Sequence, residues 1–456
     1  MSGSFQGIHI SSSALRNMQM ALDTIGHNIA NVNTQGYSRQ RVSFKTLPPS
    51  TFFQNGRQAI GTGVTLAGID RARDMFLEQR VRTLQGDLGR TGTLATNLSA
   101  IEGVYQEPSD SGISRALTRF FDGWSALGSR PDDPAAKSQV AQAGQMLTDR
   151  IRTAARELQS LGEQNTAQIG NTFDQIDRIA STIAQLNNQI QQFAGQGTPN
   201  DLMDQRDVLV RDLSDLVDVR VETFQDGSYS VYAAGFTLVE GAHARPMPRA
   251  YDINTQSLTF NGASFPVRGG QLAGQFQTAQ AVSRRASELD TLANELRTQI
   301  NTLHRQGQDA NGNTNVDFFD PLATGAMAFD LSAAVKSSSA NVMASVTGNA
   351  SDGGLALNLA ALRETSMAGL GNRTFDGYYE AAVNQAATEA SYFAQARDTS
   401  DAMMTQVSAQ QEAVSGVSLD EEMADMLRFQ RSYQAAARAL TVFDQMTEDV
   451  INMLRR

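Results

Sequence analysis

The sequence predicts a mainly α protein with β-rich insertions: an elongated helical bundle stalk formed by N- and C-terminal coiled-coil helices, plus one or two small β domains. Three observations predict it. The last stretch puts Leu419, Glu422, Met426, Phe429, Tyr433, Ala436, Leu440, Phe443, Thr447, Val450 and Leu454 at alternating steps of three and four, which is the seam of a coiled coil. The first stretch repeats the pattern with Ile8, Ser11, Leu15, Met18, Leu22, Ile25, Ile29 and Val32. In between, from Val217 onwards, the period drops to two, and Gly and Pro punctuate a run of short strands.

Taken in order, the N-terminal helix stops at Asn33 and Gly36, where Gly36 can take the positive φ that a side chain resists. Arg39 to Thr46 alternates as a strand, and Pro48-Pro49 with the Gly-rich stretch 56–63 reads as an extended loop. Helical spacing returns from Asp70 to Gly128, with Met75, Leu77, Val81, Leu84 and Leu88 on one face and Leu117, Phe120, Phe121, Trp124 and Leu127 on another. Trp124 belongs to that stripe and is expected in the core. After a break at Pro131–Pro134, a long polar-flanked seam runs through Ile169, Ile176, Ile183 and Ile190 to Phe193, and Gly195-Gln196-Gly197 closes it. A short helix to about Leu216 follows. Val217, Val219 and Val221 then face Tyr229 and Val231 across Asp226-Gly227, a hairpin signature. Helix is expected again over about 272–303 and 378–412. The C-terminal helix starts at Ser418, with Glu421 three residues on as a capping box, and would be about 55 Å long.

This divides the chain into an N-terminal assembly helix and loop (1–65), a helical bundle (66–216), a β-rich domain (217–270), a bundle helix (271–306), a β/loop-rich insertion (307–357) and a C-terminal helical region (358–456) with a coiled-coil helix over 419–455. A seam does not name its partner. The terminal helices could zip together and close a domain, or their stripes could be completed only in a polymer.

Composition narrows the function. Among 456 residues there are 37 basic and 48 acidic side chains, a net charge of −11, which argues against a nucleic-acid partner. Cysteine is absent, which excludes disulfides, thiolate metal sites and cysteine nucleophiles. The first ten residues show no secretory signal and no apolar run suits a membrane span, so no membrane partner is expected. Asp309, Asn311, Asn313, Asn315 and Asp317 imitate a calcium loop, but glycine falls at the fourth position and Asp320 at the twelfth. They read as a turn. His9, His27, His243 and His304 are scattered, and no phosphate loop or nucleophile elbow occurs. No catalytic residue, no metal and no cofactor is expected, and the chain is not expected to be an enzyme.

Two further segments carry more than periodicity. Asn28-Ile29-Ala30-Asn31-Val32-Asn33-Thr34-Gln35-Gly36-Tyr37-Ser38-Arg39 resembles the N-terminal signature of the flagellar axial proteins, the family of rod, hook and hook-associated subunits. Ser415-Gly416-Val417-Ser418-Leu419-Asp420-Glu421-Glu422, with Arg428-Phe429-Gln430-Arg431-Ser432-Tyr433, resembles the C-terminal one in the form of its hook-associated protein 1 branch. Asp204-Gln205-Arg206-Asp207 and the segment from Gly269 to Gly274 look like the middle of that branch. The resemblance implies a structural subunit of the bacterial flagellum: an adaptor ring at the hook–filament junction, exported unfolded through the flagellar type III channel without a cleaved signal. It implies as partners further copies of the chain, the hook protein, the next hook-associated protein on the filament side and a cytoplasmic export chaperone. In that family the terminal helices stay mobile in the free monomer and line the inner tube wall after assembly. The expected assembly residues are Ile8, Leu15, Met18, Leu22, Ile25, Ile29 and Val32 at one end. At the other they are Leu419, Met426, Phe429, Tyr433, Leu440, Phe443, Val450 and Leu454, where the chaperone would also bind. Asn28, Asn31, Asn33, Thr34, Gly36, Tyr37 and Arg39 form the signature between. The alternatives are a hook or distal rod protein, and a non-flagellar coiled-coil scaffold.

Overall fold

The computed structural model describes residues 2–53, 57–105, 107, 109–110, 112–193, 197–309 and 312–454. In chain order the elements are α1 (Ser2–Ala30), β1 (Gln40–Thr46), β2 (Ser50–Phe53), β3 (Arg57–Ile60), β4 (Val64–Arg71), α2 (Met75–Tyr105), α3 (Ile113–Ser129), α4 (Pro134–Gln192) and α5 (Asn200–Leu216). There follow β5 (Val219–Thr223), β6 (Tyr229–Ala233), β7 (Phe236–Glu240), β8 (His243–Ala244), β9 (Ala250–Asp252), β10 (Ser257–Phe260), β11 (Ala263–Pro266), α6 (Gly270–His304), α7 (Ala333–Ser337), α8 (Gly354–Ala361), α9 (Phe375–Ser415) and α10 (Leu419–Leu454). They form two compact units, one of residues 1–87, 175–247 and 401–456, the other of residues 88–174 and 248–400.

In the first unit α1 runs antiparallel to α10, with Asn28 facing Glu422 and Gly7 facing Phe443. Strands β1 and β4 pair antiparallel from Gln40↔Arg71 to Thr46↔Val64, with a bulge between Ser43 and Phe44. What the sequence suggested as a loop over 48–63 carries the small hairpin β2–β3. Asn17 of α1 donates to the Val64 carbonyl at 2.7 Å, which ties these strands to the helix. The meander β5-β6-β7-β8 completes the unit. Its first turn is the Asp226-Gly227 hairpin that the sequence indicated: Val219 pairs with Ala233, Thr223 with Tyr229, and Gly227 takes φ +81°. Glycines 195 and 56, which were assigned to breaks, and residue 455 of the last helix lie outside the described residues.

The second unit is built around aromatic side chains. The stripe of α3 expected in the core is there: Leu117, Phe120, Phe121, Trp124 and Leu127 are all buried. They meet Phe318, Phe319 and Phe375 from later in the chain. The three-stranded sheet β9-β10-β11 belongs to this unit. Residues 307–357 form one bridge, Phe319↔Leu331, a short helix and turns among the described residues, in place of the strands expected there. Polar side chains of α6 hold this segment down. Asn301 accepts from the amides of Phe318 and Phe319 and donates to the Phe319 carbonyl at 2.8 Å.

His304 does the same from the end of α6. Its Nδ1 donates to the Val316 carbonyl at 2.7 Å, and its Nε2 accepts from the Met343 amide at 3.0 Å. The ring is therefore held neutral, and burial lowers its pKa from 6.5 to about 4. Below the ordinary histidine range the unfolded chain gains a proton that the folded one refuses until about pH 4. Stability therefore falls across that window by on the order of 3 kcal/mol. His304→Gln should be less stable than wild type at pH 7 and should lose less on acidification to pH 4.5. Thermal melts of both proteins across the range check it, and parallel curves would contradict it.

Candidate functional site

The site lies within the first unit, where the signature loop crosses from α1 to β1 beneath the start of α10. Asn28, almost fully buried, is its centre. Its Nδ2 donates to the Gln40 carbonyl at 2.9 Å and to Glu422 Oε2 at 3.0 Å. Its Oδ1 accepts from the Tyr37 hydroxyl at 2.7 Å and the Gln40 amide at 2.9 Å. Every polar atom of the amide is used. The Tyr37 hydroxyl also lies 3.1 Å from His27 Nδ1, and burial together with Asp201 and Asp204 pushes its pKa up. Thr34 and Asn31 close the turn by bonding each other. Gly36 is required twice over: its φ is +79°, and a Cβ there would sit 2.1 Å from Val208 of α5.

Arg39, only 7% of whose side chain is exposed, faces three carboxylates of α10. Its Nε is 2.6 Å from Glu422 Oε1, it bonds Glu421, and Asp425 is 3.7 Å away. Burial works against its charge, but the pairing with Glu421 and Glu422 outweighs it and the pKa stands above its ordinary value. The Arg39 amide also donates to Ser415 at the end of α9, at 2.8 Å. Glu421, expected to cap α10 with Ser418, turns to Arg39 instead.

Helix α5 supplies a second layer through the segment Asp204 to Asp207. Asp204 accepts from the Ser38 amide at 2.9 Å and from Arg71 at 2.8 Å. Asp207 takes Arg71 at 2.7 Å, Arg73, and the Tyr229 hydroxyl at 2.8 Å. Burial would raise its pKa, yet Arg73 and Arg71 hold it below the ordinary carboxylate value. Arg206 is fully buried over the Tyr229 ring at 3.3 Å and bonds Asn187 and the Gly227 carbonyl. The polar cluster thus links α1, the signature loop, β4, α5 and the β5–β8 meander.

Beyond this cluster the helix pair follows a heptad rule. Gly7 meets Phe443, Asn28 meets Glu422, and each helix covers the same three heptads between those contacts. Counting heptads inward from these contacts sets Ala14 level with Ala436 and Ala21 level with Phe429. Ala21 and Phe429 line one cleft of about 230 Å³. The α1 seam is therefore Gly7, Ser11, Ala14, Met18, Ala21, Ile25 and Asn28. It shares Ser11, Met18 and Ile25 with the seam read from the sequence, while Ile8, Leu15, Leu22, Ile29 and Val32 flank it, half-buried. On α10, Met426, Phe429, Leu440 and Phe443 are half-buried, and Leu419, Tyr433 and Val450 are exposed. The side chain of Leu454 lies outside the described residues. Asn31 is half-buried and Asn33 and Thr34 are exposed. Glu422 and Asp204 to Asp207, at the heart of the site, lie in segments whose resemblance to the hook-associated proteins the sequence shows, but nothing in the sequence joins them into one site.

Among the described residues no group of histidine, cysteine or carboxylate side chains could hold a metal. In the turn that imitates a calcium loop, Asp309 is taken by Asn313 and Asp317 by Arg305, while Asn311 lies outside the described residues. The arrangement suits mechanical fastening.

Comparison with known proteins agrees. Residues 98–319 match the family model described as the flagellar hook-associated protein FlgK helical domain. Residues 8–37 match the flagella basal body rod protein model, and 409–453 the C-terminal model of the flagellar basal body rod FlgEFG proteins. The chain is similar to flagellar hook-associated protein 1 of Bacillus subtilis (29% identity, 99% of each chain). It is also similar to that of Salmonella typhimurium (26%, covering 98% of this chain and 99% of the relative). The solved structure of the flagellar hook junction protein FlgK from Burkholderia pseudomallei shares the fold, with a TM-score of 0.64 at 16% identity over 74% of this chain and 100% of that one.

Glu422→Ala should take from Arg39 and Asn28 their buried partner, leaving Arg39 only Glu421 and Asp425, and cost about 1–3 kcal/mol in the first unit. The terminal helices should become protease-sensitive while the fluorescence of Trp124, the sole tryptophan and part of the second unit, stays unchanged. Arg39→Met with Glu422→Met should recover most of the loss. Unaltered protease resistance in Glu422→Ala would contradict the assignment.

Proposed function

Because the chain belongs to the hook-associated protein 1 family of the bacterial flagellum, we propose that it is a structural subunit of the hook–filament junction whose paired terminal helices build an adaptor ring. The observation that carries the reading is the register of α1 on α10, fixed by Asn28, Arg39 and Glu422. A joint between two mechanically different polymers needs subunit ends of one fixed geometry, and a buried polar pair penalises every other register.

Outside the seam, α10 carries apolar side chains that are half exposed or more. Met423 and Leu427 stand one turn apart near its start, and Val442, Met446 and Met453 near its end. Burying each between neighbouring subunits would contribute roughly 1.5–3 kcal/mol. The ring therefore closes through these flanking patches and through the exposed seam residues Leu419, Tyr433 and Val450, with the hook protein on one side and the next hook-associated protein on the other. Before export by the type III route, the same patches are where a cytoplasmic chaperone would shield the chain. The rod-type models match the two ends alone, whereas the hook-associated relatives match the whole length, which favours the junction over hook or rod. The relatives are structural flagellar proteins, which supports a structural rather than an enzymatic role.

Cells carrying a deletion of residues 419–456 should show complete hooks without filaments under the electron microscope, with flagellin lost to the medium. Truncated hooks would move the protein to hook or rod, and normal flagella would sink the flagellar role. More finely, Met446→Asp or Leu427→Asp should leave the thermal transition of the purified chain within about 0.5 kcal/mol of wild type, as for exposed sites generally, yet strongly reduce incorporation. Wild-type incorporation of both variants would contradict the use of these patches.

A further inference from the structure

The meander of the first unit has β5 at one edge, bonded to β6 on one side and to no strand on the other among the described residues. The hydrogen bonds that flank β5 settle which of its backbone groups are left over. Ala234 donates to the Asp218 carbonyl and Phe224 to the Ser228 carbonyl, both at 2.9 Å. Antiparallel strands alternate bonded and unbonded positions, so Arg220 and Glu222 turn their backbone groups towards β6, while Val219, Val221 and Thr223 turn theirs outward. Among the described residues nothing meets those outward N–H and C=O groups. An open edge of this kind is a template for a further strand. Its side chains are ordered. Arg220 and Glu222 share the solvent face, 73% and 47% exposed, and pair with each other. Val219 and Val221 stand on the opposite face, half-buried, level with Ala233 and Val231 of β6. Read backwards, Val-Arg-Val-Glu-Thr is charge-complementary to itself.

We propose that the β5 edge binds the β5 edge of a second copy of this chain, antiparallel and centred on Val221. In that register Val221 lies opposite Val221 and Val219 opposite Thr223, and each such pair exchanges its free N–H and C=O groups. Arg220 of either copy then lies opposite Glu222 of the other, an attractive cross-strand pair. Sliding by two residues, the least that keeps both the bonded positions and the faces aligned, sets Arg220 opposite Arg220 or Glu222 opposite Glu222. The charge order therefore selects one register and this one partner strand. A two-fold contact closes after two chains and cannot be repeated around a ring whose subunits all point one way. The pairing thus belongs to chains outside the ring, where it covers an edge that would otherwise recruit other strands, and it stands or falls independently of the junction reading.

The test is sedimentation equilibrium of the full chain at low salt over a series of concentrations. Wild type is expected to pass from monomer to dimer as concentration rises, and added salt should weaken the pairing. Arg220→Glu and Glu222→Arg should each dimerise about tenfold more weakly, because each sets like charges opposite one another. Mixed in equal amounts, the two variants should recover the dimer, since an acidic strand then meets a basic one. Thr223→Pro removes one outward N–H and no bond to β6, and it should pair as weakly as the single charge variants. A wild type that stays monomeric throughout would overturn the proposal. So would single charge variants that dimerise like wild type, which would place the association on another surface such as α10, or a mixture that fails to recover.

Discussion

The contact between Arg39 and Glu422 is the constraint on which the first unit depends. Both side chains are almost wholly removed from water, where a lone charge would be costly and a misplaced pair nearly as bad. They become tolerable only when Asn28 sits between the loop and α10 with all its hydrogen bonds made. That requirement places the start of α10 against the end of α1 to within a fraction of a turn. From there the heptad repeat carries the register to Gly7 and Phe443, and small residues on α1 admit the rings of α10. Apolar seams alone slide with little penalty. A buried polar layer makes sliding expensive, at a cost in net stability.

The second layer anchors this joint. Asp204 and Asp207 stand on one face of α5 and receive the backbone of Ser38 and the guanidinium groups of Arg71 and Arg73. Arg206, between them in sequence, packs over the Tyr229 ring of the meander, whose hydroxyl bonds Asp207. Two chain ends that meet in one register need to be fixed to a rigid body, and the α5 cluster supplies it. In the second unit the same logic appears with neutral groups, as Asn301 and His304 pin a segment that has almost no secondary structure of its own.

What was legible in the sequence follows from what periodicity encodes. The helices were readable because apolar residues recur every 3.5 positions, and the β5–β6 hairpin because Asp226-Gly227 announces its turn. Gly36 was readable for its φ, though not for Val208, which approaches it from 172 residues away in the chain. On α1 the positions level with the α10 contacts lie one residue away from Ile8, Leu15 and Leu22 of the apolar pattern. Gly7, Ala14 and Ala21 are small, and a hydrophobic pattern favours the larger Ile8, Leu15 and Leu22 beside them. Close approach of a helix carrying Phe429 and Phe443 selects the small side chains instead, a choice visible only once the partner helix is known. Glu422 broke the α10 pattern, and that exception was the strongest pointer to the site. Residues 307–357 could not be assigned correctly because their shape is dictated by side chains of α6.

The central claim is that α1 and α10 of one chain pair with each other in this register. The chain has no cysteine, so a single introduced pair reports unambiguously. Ala14→Cys with Ala436→Cys places two thiols in the same heptad layer, one heptad in from the Gly7 contact with Phe443. Mild oxidation should give a disulfide within one chain, seen as a faster-migrating monomer on a non-reducing gel, both in the purified protein and in isolated flagella. Disulfide-linked dimers in place of that monomer, or no crosslink, would contradict the account, since either result would mean that the stripes of the terminal helices are completed by another subunit or in another register.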